Sequence, residues 1–336
     1  VTSSSGQNTQ RINEAIEIAN QTIAANPESP LGYAVRAMAL DWSGQFNLAL
    51  GAVERALEID PNSIIAKAHL ANIYRNLGQG DLAQEVILEA IAAVQANPES
   101  VDRETRAQVY RNYGRILYAV LGDAEAALEP YDLARRTMPS HTYITIEMAE
   151  VYFVLGGQSS NTSYIDTAFQ LLEETLDVAP RDLILLETLG RYYIALGHQE
   201  DGTEMYTRCV EVAPDYIPCL SQLGGLQFYA SNYALAIQNL SRATQLGSTA
   251  PEDWYWLGRS YARLSQCNLA EAPLQEGYRL RQDIESEYVG LDDFITAFRQ
   301  CGLVEPSQST PIETDSETDI QSDIGAEAET ENLPPN

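Results

Sequence analysis

Between Leu183 and Asp283 the chain repeats itself three times in one register, with a period of 34 residues. Aligned, the copies read LILLETLGRYYIALGHQEDGTEMYTRCVEVAPDY, IPCLSQLGGLQFYASNYALAIQNLSRATQLGSTA and PEDWYWLGRSYARLSQCNLAEAPLQEGYRLRQD. Leu-Gly recurs at Leu189-Gly190, Leu223-Gly224 and Leu257-Gly258, and a small residue follows each glycine by twelve positions, at Gly202, Ala236 and Ala270. A unit this short cannot bury its own apolar face, so it must stack on neighbours of the same design into one continuous body. Length therefore does not count domains here, because a stacked array reaches 336 residues as one body.

Trp254, Leu257, Gly258, Tyr261 and Ala270 match the consensus of the tetratricopeptide repeat residue for residue, and the three segments resemble that family. The resemblance implies helix-turn-helix units stacked into an all-α right-handed solenoid. Numbering each copy from 1 to 34, the register extends upstream. A half repeat is expected at 11–27, consisting of a second helix without its first, and seven full repeats at 30–284. A terminal helix at 290–300 follows, with Leu291, Ile295 and Phe298 at helical spacing to cover the open end. The solenoid thus occupies 11–302, between a polar leader at 1–10 and an acidic tail at 303–336.

Departures from register carry expectations of their own. The proline of the second unit is displaced to Pro98, three residues late, which lengthens the preceding helix, and a connector carrying Arg103 and Arg106 leads to the third unit at Gln108. Gly114 is one residue early, which predicts one extra residue between that unit's helices. The stretch GQSSNTS (157–163) is expected to project between helices, where Asn161 is the best placed of three glycosylation sequons. Pro130 and Pro273 fall inside second helices, where a kink or a late start is expected. Glycine inside a helix is less favourable than alanine by about 1 kcal/mol. At Gly190, Gly224 and Gly258 two helices must therefore approach closely, with Ala49, Ala83, Ala127, Ala168, Ala236 and Ala270 as the small residues opposite. Tyr74, Tyr152, Tyr193 and Tyr261 share position 11, the family's core position, so they are assigned to the core.

The turn at Pro214 brings Cys209 opposite Cys219, and Cys267 and Cys301 occupy the same position in successive units. Both pairs are candidate disulfides, Cys209–Cys219 and Cys267–Cys301, and favour an extracytoplasmic location, secreted or at a cell surface. The alternative is two pairs of free, buried small hydrophobes. A start at Val1 rather than Met leads to the expectation of a removed leader.

A formal charge of -28, with Lys67 the only lysine, argues against nucleic acid as a partner. No apolar run approaches the roughly 20 residues of a membrane span. His69, His141 and His198 lie in different units without a Cys, Asp or Glu at metal-ligand spacing, and no phosphate loop or Gly-x-Ser-x-Gly occurs. No metal, cofactor or catalysis is expected, and the abundant carboxylates read as a solvated face.

In the family, positions 2, 5, 9, 12 and 13 of each unit line a concave groove. The resemblance places Asn72, Arg75, Asn76, Arg111, Arg115, Arg191, Arg259 and Arg263 there, where scarce cations would receive an acidic extended segment. The alternative is that these arginines pair with neighbouring Asp and Glu. The partner is expected to be protein, foremost other copies of the chain joined head to tail into a filament or surface assembly. Ile12, Ile16, Ala19 and Ile23 at one end, and Ile312, Ile320 and Ile324 in the tail, are the candidate contacts. Against assembly stands the ordinary explanation, a frayed cap and tails too acidic to fold.

Overall fold

The computed structural model describes residues 2–159 and 161–305, and every regular element among them is helical. Helix α1 (Thr2–Ala25) precedes seven antiparallel pairs. These are α2 (Pro30–Trp42) with α3 (Phe46–Ile59), α4 (Ile64–Asn76) with α5 (Gly80–Ala96), α6 (Arg103–Ala119) with α7 (Ala124–Thr137), and α8 (Thr142–Ser159) with α9 (Thr162–Val178). They continue as α10 (Leu183–Ala195) with α11 (Gln199–Val212), α12 (Ile217–Tyr229) with α13 (Tyr233–Gln245), and α14 (Pro251–Arg263) with α15 (Cys267–Asp283), and α16 (Leu291–Gln300) closes the series. Pro61, Pro139, Pro180 and Pro214 each stand two residues beyond the helix they terminate. Ser29, Ser63 and Asp182 then cap the next first helix by accepting from the backbone N–H three residues on.

The glycines and alanines at position 8 mark the closest approach within each pair. A Cβ on Gly190 would lie 2.9 Å from the Tyr206 ring, and one on Gly258 2.6 Å from Leu274. The backbones do close on each other, since that Gly258 Cβ would also stand 3.2 Å from the carbonyl of Ala270. The space above the glycine, however, is filled by the large residue at position 24, not by the small one at position 20. Tyr131 and Tyr206, at 1% and 2% exposure, fill it in the third and fifth units, where the residues beneath are Gly114 and Gly190. Tyr74, Tyr152, Tyr193 and Tyr261, expected in the core, are only half-buried; the fully enclosed tyrosines are those that sit over a glycine.

The extra residue predicted between the helices of the third unit is present, with four residues separating α6 from α7 where three separate α2 from α3. Other boundaries depart from the repeat register. The polar leader, set outside the solenoid by the repeat register, is helical from Thr2, because extending an existing helix costs far less than starting one. Arg103 and Arg106 lie in α6 and not in a connector, since Asp102 accepts from Thr105 N and starts that helix early. The GQSSNTS insertion lengthens α8 and α9 rather than projecting as a loop, and Asn161 caps α9 with Oδ1 accepting from Ser163 N. Pro130 and Pro273 delay neither helix start, as both sit inside α7 and α15.

Between the fourth and fifth units the backbones stand further apart, and aromatic rings span the joint. Phe153 stacks on Tyr192 with centroids 3.7 Å apart, and Phe169 stacks on Tyr193 at 4.6 Å. At the far end α16 buries Phe294, Ala297 and Phe298, with Phe294 in the space left by Gly277. Of the residues expected on that face Phe298 is buried, Ile295 is half-buried and Leu291 is exposed, because the helix is rotated toward Gly277. Of the acidic tail only 303–305 is described, so Ile312, Ile320 and Ile324 lie outside the described residues.

Candidate protein-binding groove

The first helices of the pairs form an inner row in which α2 meets α4, α4 meets α6, α8 meets α10 and α12 meets α14. A stack packed more closely on one side bends toward that side, so this row lines the concave face. Every candidate groove residue belongs to a helix of this row.

In the N-terminal half the candidates are joined into one network. Asp41, 7% exposed at the end of α2, accepts from Asn72 Nδ2 at 2.5 Å and Asn76 Nδ2 at 2.6 Å. The Asn72 Oδ1 in turn accepts from Arg75 Nε at 3.2 Å and Arg115 Nη1 at 3.2 Å. Arg111 then grips Glu147 of α8 through both carboxylate oxygens, Nε to Oε2 at 2.9 Å and Nη2 to Oε1 at 2.5 Å, with Arg115 Nε 3.9 Å from the same group. Burial lowers the pKa of Arg75, as does the like charge of Arg115. Burial also works against the charge on Arg111, but the hydrogen bonds and charge of Glu147 outweigh it and raise that pKa. The carboxylates these cations meet are therefore the chain's own.

In the C-terminal half Arg259, 8% exposed, donates through Nη1 to Gln300 Oε1 of α16 and lies 5.9 Å from the Tyr255 ring centroid. Arg191 is exposed, its guanidinium 4.8 Å from the centroid of its neighbour Tyr192. Arg263 is exposed with no hydrogen bond or ion pair to a described residue. Asn72, Arg75, Asn76, Arg111 and Arg115 are thus brought together, while Arg191, Arg259 and Arg263 remain separate.

The groove also contains a cavity of about 500 Å3 between α10, α12 and α14, with no basic residue in its lining. Glu187, Ser221, Tyr229, Glu252, Asp253, Trp256 and Tyr288 are among its walls. Asp253 is 0% exposed, and its Oδ2 accepts from Ser221 Oγ at 2.5 Å and Ser248 Oγ at 2.6 Å. Burial pushes its pKa up to about 6 against the pull of those two hydroxyls. Sequence reasoning passed over this cavity although Glu187, Glu252 and Tyr229 stand at groove positions 5, 2 and 13, because the acids were assigned to a solvated face.

The cysteines are joined as Cys209–Cys219, with Cα atoms 6.2 Å apart, and Cys267–Cys301, with Cα atoms 5.4 Å apart. The first ties α11 to α12 across the turn between units, and the second ties the start of α15 to the end of α16. Among the described residues no cluster of three or more His, Cys, Asp or Glu could hold a metal ion, and no helix is long and apolar enough to cross a membrane.

Residues 43–101 and 185–216 match two family models, each described as a tetratricopeptide repeat. The human protein O-mannosyl-transferase TMTC1 is 22% identical over 216 residues, which are 54% of this chain and 23% of that protein. The chain thus spans about a quarter of that relative's length. Among solved structures, a human IFIT1 dimer with PPP-AAAA superposes with a TM-score of 0.55 at 18% identity, covering 80% of this chain and 68% of that one. The Cut9–Hcn1 hetero-tetramer of the APC/C gives 0.53 at 13% identity, covering 86% and 52%, and yeast Tom70 gives 0.53 at 14%, covering 87% and 58%. At such identities the likeness concerns the fold alone. The matched stretches span α3 to α5 and α10 with α11, in the first half and the middle of one array of helix pairs, so the chain carries tetratricopeptide repeats.

Proposed function

We propose that this protein is a non-enzymatic adaptor of an oxidising, extracytoplasmic compartment, secreted or at a cell surface, that holds an extended segment of another protein against its inner row of helices. The observation that carries the reading is the open cavity on α10, α12 and α14, edged by Tyr229 and Tyr288 at 65% and 62% exposure. Large exposed aromatic rings beside a pocket are the usual anchors of protein recognition. Pairing of all four cysteines supports the compartment, since such bonds persist where glutathione does not reduce them. Selection of a random twelve-residue peptide library on the protein tests the adaptor reading. Bound peptides should slow amide exchange in α10, α12 and α14; protection confined to the outer helices would refute it. Peptides rich in Asp and Glu whose binding is lost in Arg191→Ala and Arg263→Ala would support the arginines as the contacts.

A second reading, head-to-tail assembly of copies into a filament or surface assembly, is favoured by the N-terminal end. There Arg11, Ile12, Ala15 and Trp42 line a cavity of about 440 Å3, and Trp42 is 62% exposed. A different surface at each end gives a heterologous contact, which repeats unless the rotation closes it. Sedimentation of the wild type and Trp42→Ser at high concentration decides the matter: assembly in the wild type that the variant loses supports it, and two monomers refute it.

A further inference from the structure

The cavity on the inner row is walled by three aromatic rings set steeply to one another. Tyr229 of α12 and Trp256 of α14 have centroids 5.8 Å apart at 71°, and Trp256 and Tyr288 have centroids 6.0 Å apart at 60°. Trp256 is held in place by its neighbour, since a Cβ on Gly225 would stand 2.6 Å from the indole ring. Tyr288 comes from the segment between α15 and α16, after the last full repeat. That segment is fixed by Arg281, whose Nε donates to Val289 O at 2.7 Å and whose Nη1 donates to Ile284 O at 3.2 Å.

The charged groups of the lining are all negative and incompletely used, beside neutral Gln199, Ser221 and Gln222 and the unpaired, buried Trp256 Nε1. Glu252 forms no hydrogen bond or ion pair with a described residue, and Glu187 accepts only from the Tyr216 hydroxyl, at 2.7 Å. Asp253 keeps Oδ1 buried without a donor, although its residue is wholly enclosed. Aromatic faces attract cations through the ring quadrupole, and carboxylates beside them add charge and hydrogen-bond acceptors.

We infer that this cavity receives the ammonium of a lysine side chain on the bound segment, between the Tyr229, Trp256 and Tyr288 rings and facing Glu252 and Glu187. The inference rests on the adaptor reading and narrows it, because it assigns the partner a basic residue at one defined point. Lysine fits better than a trimethylated ammonium because the carboxylates offer acceptors, which only an N–H can use. Nothing in the lining repels it, and the chain's charge of -28 attracts it from a distance.

The test uses the full chain and the probe acetyl-Gly-Ser-Gly-Lys-Gly-Ser-Gly-amide, with norleucine and trimethyllysine versions, titrated by calorimetry and by backbone NMR. The lysine probe should bind about tenfold or more tighter than the norleucine probe and shift amides of α12 and α14. Tyr229→Ala and Tyr288→Ala, at exposed positions where folding is not at stake, should each weaken it by about threefold to thirtyfold. Tyr288→Phe should bind as the wild type does, because the ring face and not the hydroxyl makes the contact. Equal binding of lysine and norleucine, no effect of either alanine variant, or no binding at millimolar concentration would overturn the inference. Tighter binding of trimethyllysine would overturn it in favour of a quaternary ammonium. The adaptor reading fails separately: library peptides that protect α10, α12 and α14 but contain no basic residue would leave it standing while the lysine assignment falls.

Discussion

Acidification should destabilise this protein through one residue that takes no part in the groove. His69 lies in α4 at 7% exposure, and burial alone lowers its pKa to about 4 from an ordinary value of 6.5. The unfolded chain therefore takes up this proton before the folded chain does, so stability falls as pH drops through 6.5 and the loss is complete below about 4. The gap between the two values corresponds to about 3 kcal/mol in full, and about 2 kcal/mol of it falls between pH 7.5 and pH 5. Asp253 works the other way. Its folded pKa is raised from 3.8 to about 6, so the folded chain is protonated first and stability rises as pH falls through that window, by about 1.4 kcal/mol between the same limits. The wild type should consequently show only a small net change from these two groups. His69→Gln removes the first term and leaves the second. Urea unfolding of both proteins at pH 7.5 and pH 5, followed by circular dichroism, isolates it, since all other titrating groups cancel in the difference. If the array unfolds in segments, amide exchange in α4 gives the same comparison. The stability of His69→Gln relative to wild type should improve by about 2 kcal/mol on acidification; a difference independent of pH would refute the reasoning.

Three further outcomes follow from the packing. Gly190→Ala should destabilise by about 1–3 kcal/mol in thermal unfolding, because the new Cβ would stand 2.9 Å from the Tyr206 ring, and Tyr206→Leu in the same chain should recover part of the loss. Ser265→Gly should raise stability by about 1 kcal/mol, since Ser265 holds a φ of 59° at the turn where earlier units place Gly44, Gly78 and Gly197; an unchanged midpoint would count against left-handed strain there. Replacing Cys267 and Cys301 by Ser should lower stability by about 2–4 kcal/mol and speed amide exchange in α16 ahead of the other helices, because that bond ties α16 to the array.

The repeat was legible because every unit poses the same packing problem, and the same few residues answer it. Leu189-Gly190 and its counterparts fix the crossing of each pair, and prolines such as Pro214 end each second helix. Helix ends away from the register were not legible. They depend on single capping side chains, Asp102 for α6 and Asn161 for α9, which the 34-residue pattern does not contain. Pairing Gly190 with the small residue at position 20 recognised that two backbones approach there. It missed Tyr206, because which side chain fills a gap depends on its direction from the helix as well as on spacing.

What the candidate groove residues would meet was not legible in the sequence, for an electrostatic reason. Counting cations on a face says nothing of what stands opposite them. Arg111 and Arg115 face Glu147 from the adjoining unit, and Asn72 and Asn76 face Asp41 from the other side, so four of the eight candidates were already engaged by a carboxylate across a unit boundary. Availability belongs to charges that lack such a neighbour. Glu252 is one, and it stands beside Asp253 and two exposed tyrosines in a cavity that no Lys or Arg enters. With 48 acidic residues against 20 basic ones, the long-range field of the chain and the open acceptors of its inner face have the same sign. On the proposed reading a basic segment is both drawn toward the array and held where the field is least compensated, whereas an acidic one meets Arg111 and Arg115 already paired with Glu147.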